Sequence, residues 1–350
     1  MSSKSFNYKK YFIVIIVMVT LGTSFLGIIA YLKFLSPVVR NVDVNDPYVY
    51  IPTGADFTDV SAILKNKKLI DNINDFTWLA KQMKYVNHVK PGKYKLHNGM
   101  SNKEIIEMLR AGRQTSVNLS INNIRKLEGL ALLVSSKLEA DSNSIEKLFN
   151  DSLFLSQHGF NTYNAISMII PNTYEFYWNT SAEEFFDRML KEYKKFWTAN
   201  RLKMASDLGL DPKQVSVVAS IVEKETRQKD EKPILAGIYL NRLEQGWKLE
   251  ADPTLIYAAN DFTIKRVLNV HKQIVSPYNT YLNFGLPPGP ICTPSIESID
   301  AVLNRKKSGY MFFCAREDFS GFHNYAETYS EHKQNARLFQ AALDRRGIKK

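Results

Sequence analysis

Residues 11–32 of this chain, YFIVIIVMVTLGTSFLGIIAYL, carry no formal charge. As an α-helix rising about 1.5 Å per residue, the run is about 33 Å long, enough to cross a hydrocarbon core of roughly 30 Å. A cleavable signal peptide has a shorter apolar stretch that ends at a small-x-small site. This run instead continues into Tyr31-Leu32-Lys33-Phe34. Lys4, Lys9 and Lys10 precede it without an acidic residue, whereas Asp43 and Asp46 join Lys33 and Arg40 beyond it. The basic bias puts the short N-terminus on the cytoplasmic side and the rest of the chain outside. The expectation is a cytoplasmic N-terminus over residues 1–10, a transmembrane helix over residues 11–35, and a single-pass protein.

That placement decides how the charge is read. The chain has 46 Lys and Arg against 35 Asp and Glu, a net +11, which in a cytoplasmic protein would suit nucleic-acid phosphates. Outside the cytoplasm the same charge meets lipid headgroups and wall polymers. The sequence has no long basic run with interleaved aromatics, no RNA-binding signature and no zinc-finger spacing, so no nucleic-acid partner is expected. Two cysteines, Cys292 and Cys314, are too few for a disulfide framework or a four-thiolate zinc site. They are free to pair or to remain thiols. The histidines at 88, 97, 158, 271, 323 and 332 show no HxxxH or HxH spacing. Nor is there a Gly-x-Ser-x-Gly elbow, a phosphate loop or a dinucleotide fingerprint, so neither metal nor cofactor is expected.

Beyond a connector broken by Pro37, residues 46–121 read as a small β-α-α-β-α-β module. A β-rich run at 48–52 precedes a helix with Val60, Ile63 and Leu64 on one face, capped by Asp56 or Thr58. A second helix is expected over 75–85 and a strand after Pro91-Gly92. Ser101 with Glu104 forms a capping box opening a third helix, and residues 117–121 form a last strand. Residues 122–210 read as a mainly helical connecting region, with helices at 124–139, 144–150 and 181–210. Pro171-Asn172-Thr173-Tyr174 marks a turn into a short strand. Residues 211–350 form the third block, and the fold class overall is α+β.

Asp211-Pro212 is a strong helix start, a capping carboxylate followed by a proline in the first turn. At about 100° per residue, Val215, Val218, Ala219 and Val222 share one apolar stripe. Glu223 falls at about 80° and Glu225 at about 280°, on opposite borders, while Lys224 at about 180° points to solvent. A carboxyl beside an apolar stripe loses hydration, which disfavours its ionised form and raises its pKa, as a general acid near neutral pH requires. A solvated flanking Glu, paired one turn on, has the same pattern. The next hundred residues are dense in unusual polar and turn residues: Asn241-Arg242, a capped helix start at Ala251-Asp252-Pro253-Thr254, then Pro277-Tyr278-Asn279-Thr280-Tyr281 and Gly285-Leu286-Pro287-Pro288-Gly289-Pro290. Rigid loops of this kind wall a groove for an extended polymer, or simply connect elements.

These stretches, together with Ala219-Ser220-Ile221-Val222-Glu223-Lys224-Glu225-Thr226 and a closing set at His323, Thr328, Glu331 and His332, resemble the MltG/YceG family of endolytic murein transglycosylases. Pro91-Gly92-x-Tyr94 and Gly99-Met100-Ser101 look like that family's LysM-like module. The chain departs from the family pattern at Ile166-Ser167, Asn172, Glu250, Thr293 and Lys333. The resemblance implies a bacterial inner-membrane enzyme with its catalytic domain outside. It would cleave the β-1,4 bond between N-acetylmuramic acid and N-acetylglucosamine in nascent glycan strands, leaving a 1,6-anhydro end. Peptidoglycan strands and the wall-synthesis machinery would be its partners. The resemblance implies Glu223 as the catalytic acid, then base, with Glu225, Asn241, Asp252, Tyr278, Asn279 and His323 as substrate-binding or supporting residues. The rival readings are a non-catalytic wall-binding scaffold of the same fold and a hydrolytic muramidase.

Overall fold

The computed structural model describes residues 8–40, 42–70 and 72–347. Lys4 and most of the segment expected to be cytoplasmic lie outside them. The chain is α+β, as expected, and divides into two compact units, Met1–Val117 with Glu175–Asn179, and Asn118–Tyr174 with Thr180–Lys350.

In the first unit, α1 (Tyr8–Ala30) runs on through one π-helical turn, Tyr31–Leu35. The stretch Lys9–Leu35 has mean hydropathy 2.6 and none of its apolar window is buried, which is compatible with a single membrane span. Strands β1 (Tyr48–Ile51) and β2 (Gly92–Lys95) pair antiparallel, Tyr48 opposite Lys95 and Ile51 opposite Gly92. Around this ladder pack α2 (Phe57–Asn66), α3 (Ile73–Gln82) and α4 (Asn102–Ala111), with Val60, Leu64, Phe76, Ala80, Ile105 and Ile106 fully buried. Asp56 caps α2 and Ser101 with Glu104 forms the capping box of α4. The second helix starts at Ile73 rather than 75 because Asn72 accepts the Asn74 amide and caps it.

The second unit opens near β3 (Val117–Ile121). The helix expected over 124–139 is shorter, α5 (Leu127–Ser135), because residue 124 is held extended: its amide donates to the Thr293 hydroxyl and its carbonyl accepts the Thr293 amide. Helices α6 (Ser142–Asn150) and α7 (Ser152–Gln157) follow, then β4 (Asn172–Phe176). The run expected at 181–210 is two helices, α8 (Ala182–Phe196) and α9 (Ala199–Asp207). Thr198 accepts the Arg201 amide and restarts the chain as an N-cap. Next come α10 (Pro212–Glu225), α11 (Lys232–Glu244), α12 (Asp252–Ala259) and α13 (Ile296–Leu303). The unit ends with a hairpin of β5 (Phe312–Ala315) and β6 (His323–Ala326), then α14 (Tyr329–Arg345).

Helix α10 is the axis of this unit. The stripe of Val215, Val218, Ala219 and Val222 is buried as expected, but every residue from Val215 to Val222 is buried. Neighbours α9, α11, α12 and α13 surround it. Two serines on faces a one-sided helix would leave wet are satisfied internally. The Ser216 hydroxyl donates to the Pro212 carbonyl at 3.0 Å, and Ser220 donates to the Val217 carbonyl while accepting the Ile291 amide. Close backbone approaches hold the ring together. A Cβ on Gly289 would sit 1.9 Å from the Tyr163 carbonyl oxygen, and one on Gly237 2.4 Å from that of Lys306.

Candidate active site

The last turn of α10 presents Glu223, Lys224 and Glu225 in sequence, and each has a different setting. Glu223 points at the start of α13. Its Oε2 accepts the hydroxyls of Ser295 and Ser298, each at 2.5 Å, and the Lys232 ammonium at 3.3 Å. Ser295 is also the N-cap of α13, accepting the Ser298 amide. Lys232, itself buried, bridges to Glu297 at 2.8 Å. Burial pushes the Glu223 carboxyl up, but donation from Ser295, Ser298 and then the Lys232 charge outweighs it, and the pKa lies below the ordinary carboxylate value. This corrects the sequence expectation of a raised pKa at 223: the apolar border costs hydration, yet α13 and α11 supply three donors in its place.

Glu225 is the carboxyl whose pKa is raised. Burial raises its pKa to about 7; the Tyr239 hydroxyl, donating to Oε1, pulls it down, the Asp252 charge pushes it up, and Arg242 pulls it down again. Tyr239 is fully buried on α11. Asp252 does not cap α12, as its sequence context suggested. Ala251 occupies the cap position without a side-chain bond, and Asp252 Oδ1 accepts the Tyr281 hydroxyl at 2.7 Å. The buried Arg242 guanidinium donates to the carbonyls of Met311 and Leu249.

Lys224 does not face bulk solvent. Its ammonium donates to Asn123 Oδ1, and it lines a pocket with Arg125.

Two of the remaining candidates, Asn241 and Asn279, act on backbone, and the other two on side chains. Asn241 Nδ2 donates to the carbonyls of Ser308 and Tyr310, tying α11 to the strand β5 lead-in. Asn279 is fully buried. It donates to the carbonyls of Lys272 and Ile274 and accepts the amides of Tyr281 and Leu282, which fixes the loop carrying Tyr281. Tyr278 is buried with its ring 4.5 Å from that of Tyr257. His323 lies on β6, where its ring Nδ1 meets Glu231 Oε2 at 3.0 Å and its amide donates to Oε1 at 2.6 Å. Tyr325 and Thr226 hydroxyls complete the shell of the buried Glu231. Burial raises the Glu231 pKa, and the donors Tyr325 and His323 bring it below the ordinary value.

A family model described as "YceG-like family" matches residues 49–338. The chain belongs to the YceG-like family. Among its relatives, the endolytic murein transglycosylase of Bacillus subtilis strain 168 is 27% identical over 324 residues, covering 88% of this chain and 89% of the relative. The endolytic murein transglycosylase of Streptococcus pneumoniae D39 is 25% identical over 318 residues, and the match covers 82% of this chain but 57% of that longer protein. A crystal structure of a yceG-like protein from Listeria monocytogenes superposes with TM-score 0.55 at 26% identity, covering 82% of this chain and 97% of that one.

In this YceG-like chain, sequence reasoning missed Tyr239, Tyr281, Lys232, Ser295, Ser298 and Glu231. Ser295 and Ser298 carried a signal, an N-cap spacing before an apolar helix, which reads as a cap and only the structure shows as two donors to a carboxylate. Glu231 sits in a run, Lys229-Asp230-Glu231, indistinguishable from a solvated turn. Cys292 and Cys314 are both free thiols; Cys292 is buried, and burial pushes its pKa up to about 12.

Proposed function

We propose that this chain is a membrane-anchored murein lytic transglycosylase in which Glu225, not Glu223, is the acid. The observation that carries the reading is the separation of the two carboxyls on α10. Glu223 is held as an anion by three donors, and Glu225 keeps its proton to about pH 7. Environments that push two neighbouring carboxyls apart are how acid and anion roles are divided. The relatives, endolytic murein transglycosylases, support murein as the substrate class.

In this mechanism Glu225 gives its proton to the glycosidic oxygen as the bond from C1 of N-acetylmuramic acid breaks. The resulting carboxylate takes the proton of the C6 hydroxyl as O6 closes on C1. The sugar thereby leaves with a 1,6-anhydro end and Glu225 is reprotonated. One carboxyl changing roles suffices, because the nucleophile belongs to the substrate. Glu223 fastens α13 to the end of α10 and positions the turn. Asn241 and Asn279 hold the surrounding backbone, His323 holds the Glu231 carboxylate, Tyr278 packs on Tyr257, and Asp252 borders the site. Lys9–Leu35 spans the membrane with Lys9 and Lys10 on the cytoplasmic side, which keeps the enzyme beside newly made strands and the machinery that makes them. The first unit serves as the LysM-like module, a spacer or glycan contact.

Asp252 favours a second reading, a hydrolytic muramidase, since a second carboxylate close to the acid is what most glycoside hydrolases use. Incubation of the full chain in detergent with uncrosslinked glycan, followed by mass spectrometry, separates the two. Anhydro ends support the transglycosylase, and ends heavier by one water support the muramidase. Glu225→Gln removes either product, whereas Glu223→Gln leaves residual cleavage. Full activity in Glu225→Gln would return the acid role to another group.

A further inference from the structure

Beside the acid, about 100° round the same helical turn, lies an open pocket that the mechanism does not use. Its walls are Pro253, Ile256 and Tyr257 of α12, with Ile291 and Phe262, and two cations converge on it, Arg125 and Lys224. The Arg125 guanidinium lies over the Phe262 ring at 4.4 Å. A stacked guanidinium keeps its edge donors free for an in-plane acceptor. Among the described residues, the Lys224 ammonium hydrogen-bonds the neutral amide of Asn123. Among the ion pairs of the described residues, neither cation has a carboxylate partner.

Like charges sharing a pocket repel. The Lys224 pKa is lowered, first by burial; Cys292 and Glu223 act the other way, and Arg125 adds to the lowering. An anion placed between them relieves that repulsion, and the site is built for one. The flanking surfaces are a proline, an isoleucine pair and two aromatic rings, so the anion arrives attached to an aliphatic body. A polyphosphate would ask for polar donors at those positions, whereas a short peptide with a terminal carboxylate matches both halves of the lining. The location gives the occupant its identity. Lys224 lies between Glu223 and Glu225, and Pro253 follows Asp252, so the two segments that border the acid also wall this pocket.

We infer that the Arg125–Lys224 pocket binds a carboxylate of the stem peptide on the muramyl residue at the cleavage site, making the enzyme selective for peptide-bearing strands. The inference rests on the glycan-cleaving reading above. A charge-assisted hydrogen bond of this kind is worth about tenfold or more in affinity.

The test uses the full chain in detergent micelles and three substrates: uncrosslinked strands with pentapeptide stems, the same strands after amidase stripping, and strands with stem carboxylates converted to carboxamides. Wild type is expected to cleave the first about tenfold faster, in kcat/KM, than the other two. In Arg125→Gln that ratio falls to about one, and Arg125→Lys, which keeps the charge, restores part of it. Lys224→Gln is the second variant should Arg125→Gln fail to fold. A parallel calorimetric titration uses the disaccharide pentapeptide and its carboxamide, which contain no bond for the enzyme to cleave. The acid form should bind wild type more tightly and lose that advantage in Arg125→Gln. Equal binding of acid and carboxamide by wild type, or a preference that survives Arg125→Gln and Lys224→Gln, would overturn the inference. Absence of cleavage on every strand would refute the glycan-cleaving reading alone, and the titration would still decide the pocket.

Discussion

Replacing Glu225 by glutamine should make the protein inactive and, above neutral pH, more stable. The folded carboxyl has a pKa of about 7 against an ordinary 4.5, because burial disfavours its charge more than Tyr239 supports it. Below about pH 4.5 the carboxyl is protonated in both folded and unfolded chains and contributes no pH-dependent cost. As pH rises from 4.5 to 7 the unfolded carboxyl ionises first, so the folded state loses stability; above 7 the loss is complete. Each tenfold difference in proton affinity is worth about 1.4 kcal/mol, which puts the full cost near 3 kcal/mol. Glutamine does not ionise, and its amide oxygen still accepts the Tyr239 hydroxyl. The variant should therefore match wild type near pH 4 and exceed it by about 3 kcal/mol at pH 8.5. Urea unfolding of both full-length proteins in detergent across that range, followed by tryptophan fluorescence, measures the difference. A gap that does not change with pH, or a variant less stable than wild type at pH 8.5, would show that Glu225 is not a buried protonated acid. Strain of this kind at a reactive group is a common exchange of stability for function.

Tyr239→Phe removes the hydroxyl that favours the ionised form of Glu225, so the alkaline limb of kcat/KM should move up by about one pH unit; a limb that stays or moves down refutes the assignment. Gly289→Ala forces a methyl group against the Tyr163 carbonyl and should lower stability by about 1–3 kcal/mol in thermal unfolding, more than Gly209→Ala, which meets nothing within 4 Å but has a positive φ. Tyr325→Phe withdraws one donor from the buried Glu231 carboxylate, whose pKa is depressed in the folded protein. Stability from such a group is present above its unfolded pKa and lost as pH falls through the folded one, so the variant should unfold at a higher pH than wild type during acid titration, with neutral-pH stability lower by about 1–3 kcal/mol.

Features that one segment decides alone were legible in the sequence. The uncharged run at 11–32, the Ser101–Glu104 capping box, the Asp211-Pro212 start of α10 and its apolar stripe all follow from local chemistry, and all appear in the structure. What escaped was set by segments far along the chain. Lys224 reads as solvent-facing because helical periodicity assumes one packing partner, but α10 is packed all round, and the direction at about 180° meets Asn123 and Arg125 instead of water. The same limit governs the two glutamates. On a helical wheel Glu223 and Glu225 border the apolar stripe on either side and lose comparable hydration, so periodicity offers no reason for their pKa values to differ. The difference arises because α13 brings Ser295 and Ser298, and α11 brings Lys232, to one border. The other border receives a single buried phenol and the opposed charges of Asp252 and Arg242, which do not outweigh burial. Desolvation at the stripe is common to both borders; the number and sign of the partners that replace the lost water decide which carboxyl stays an anion and which can hold a proton.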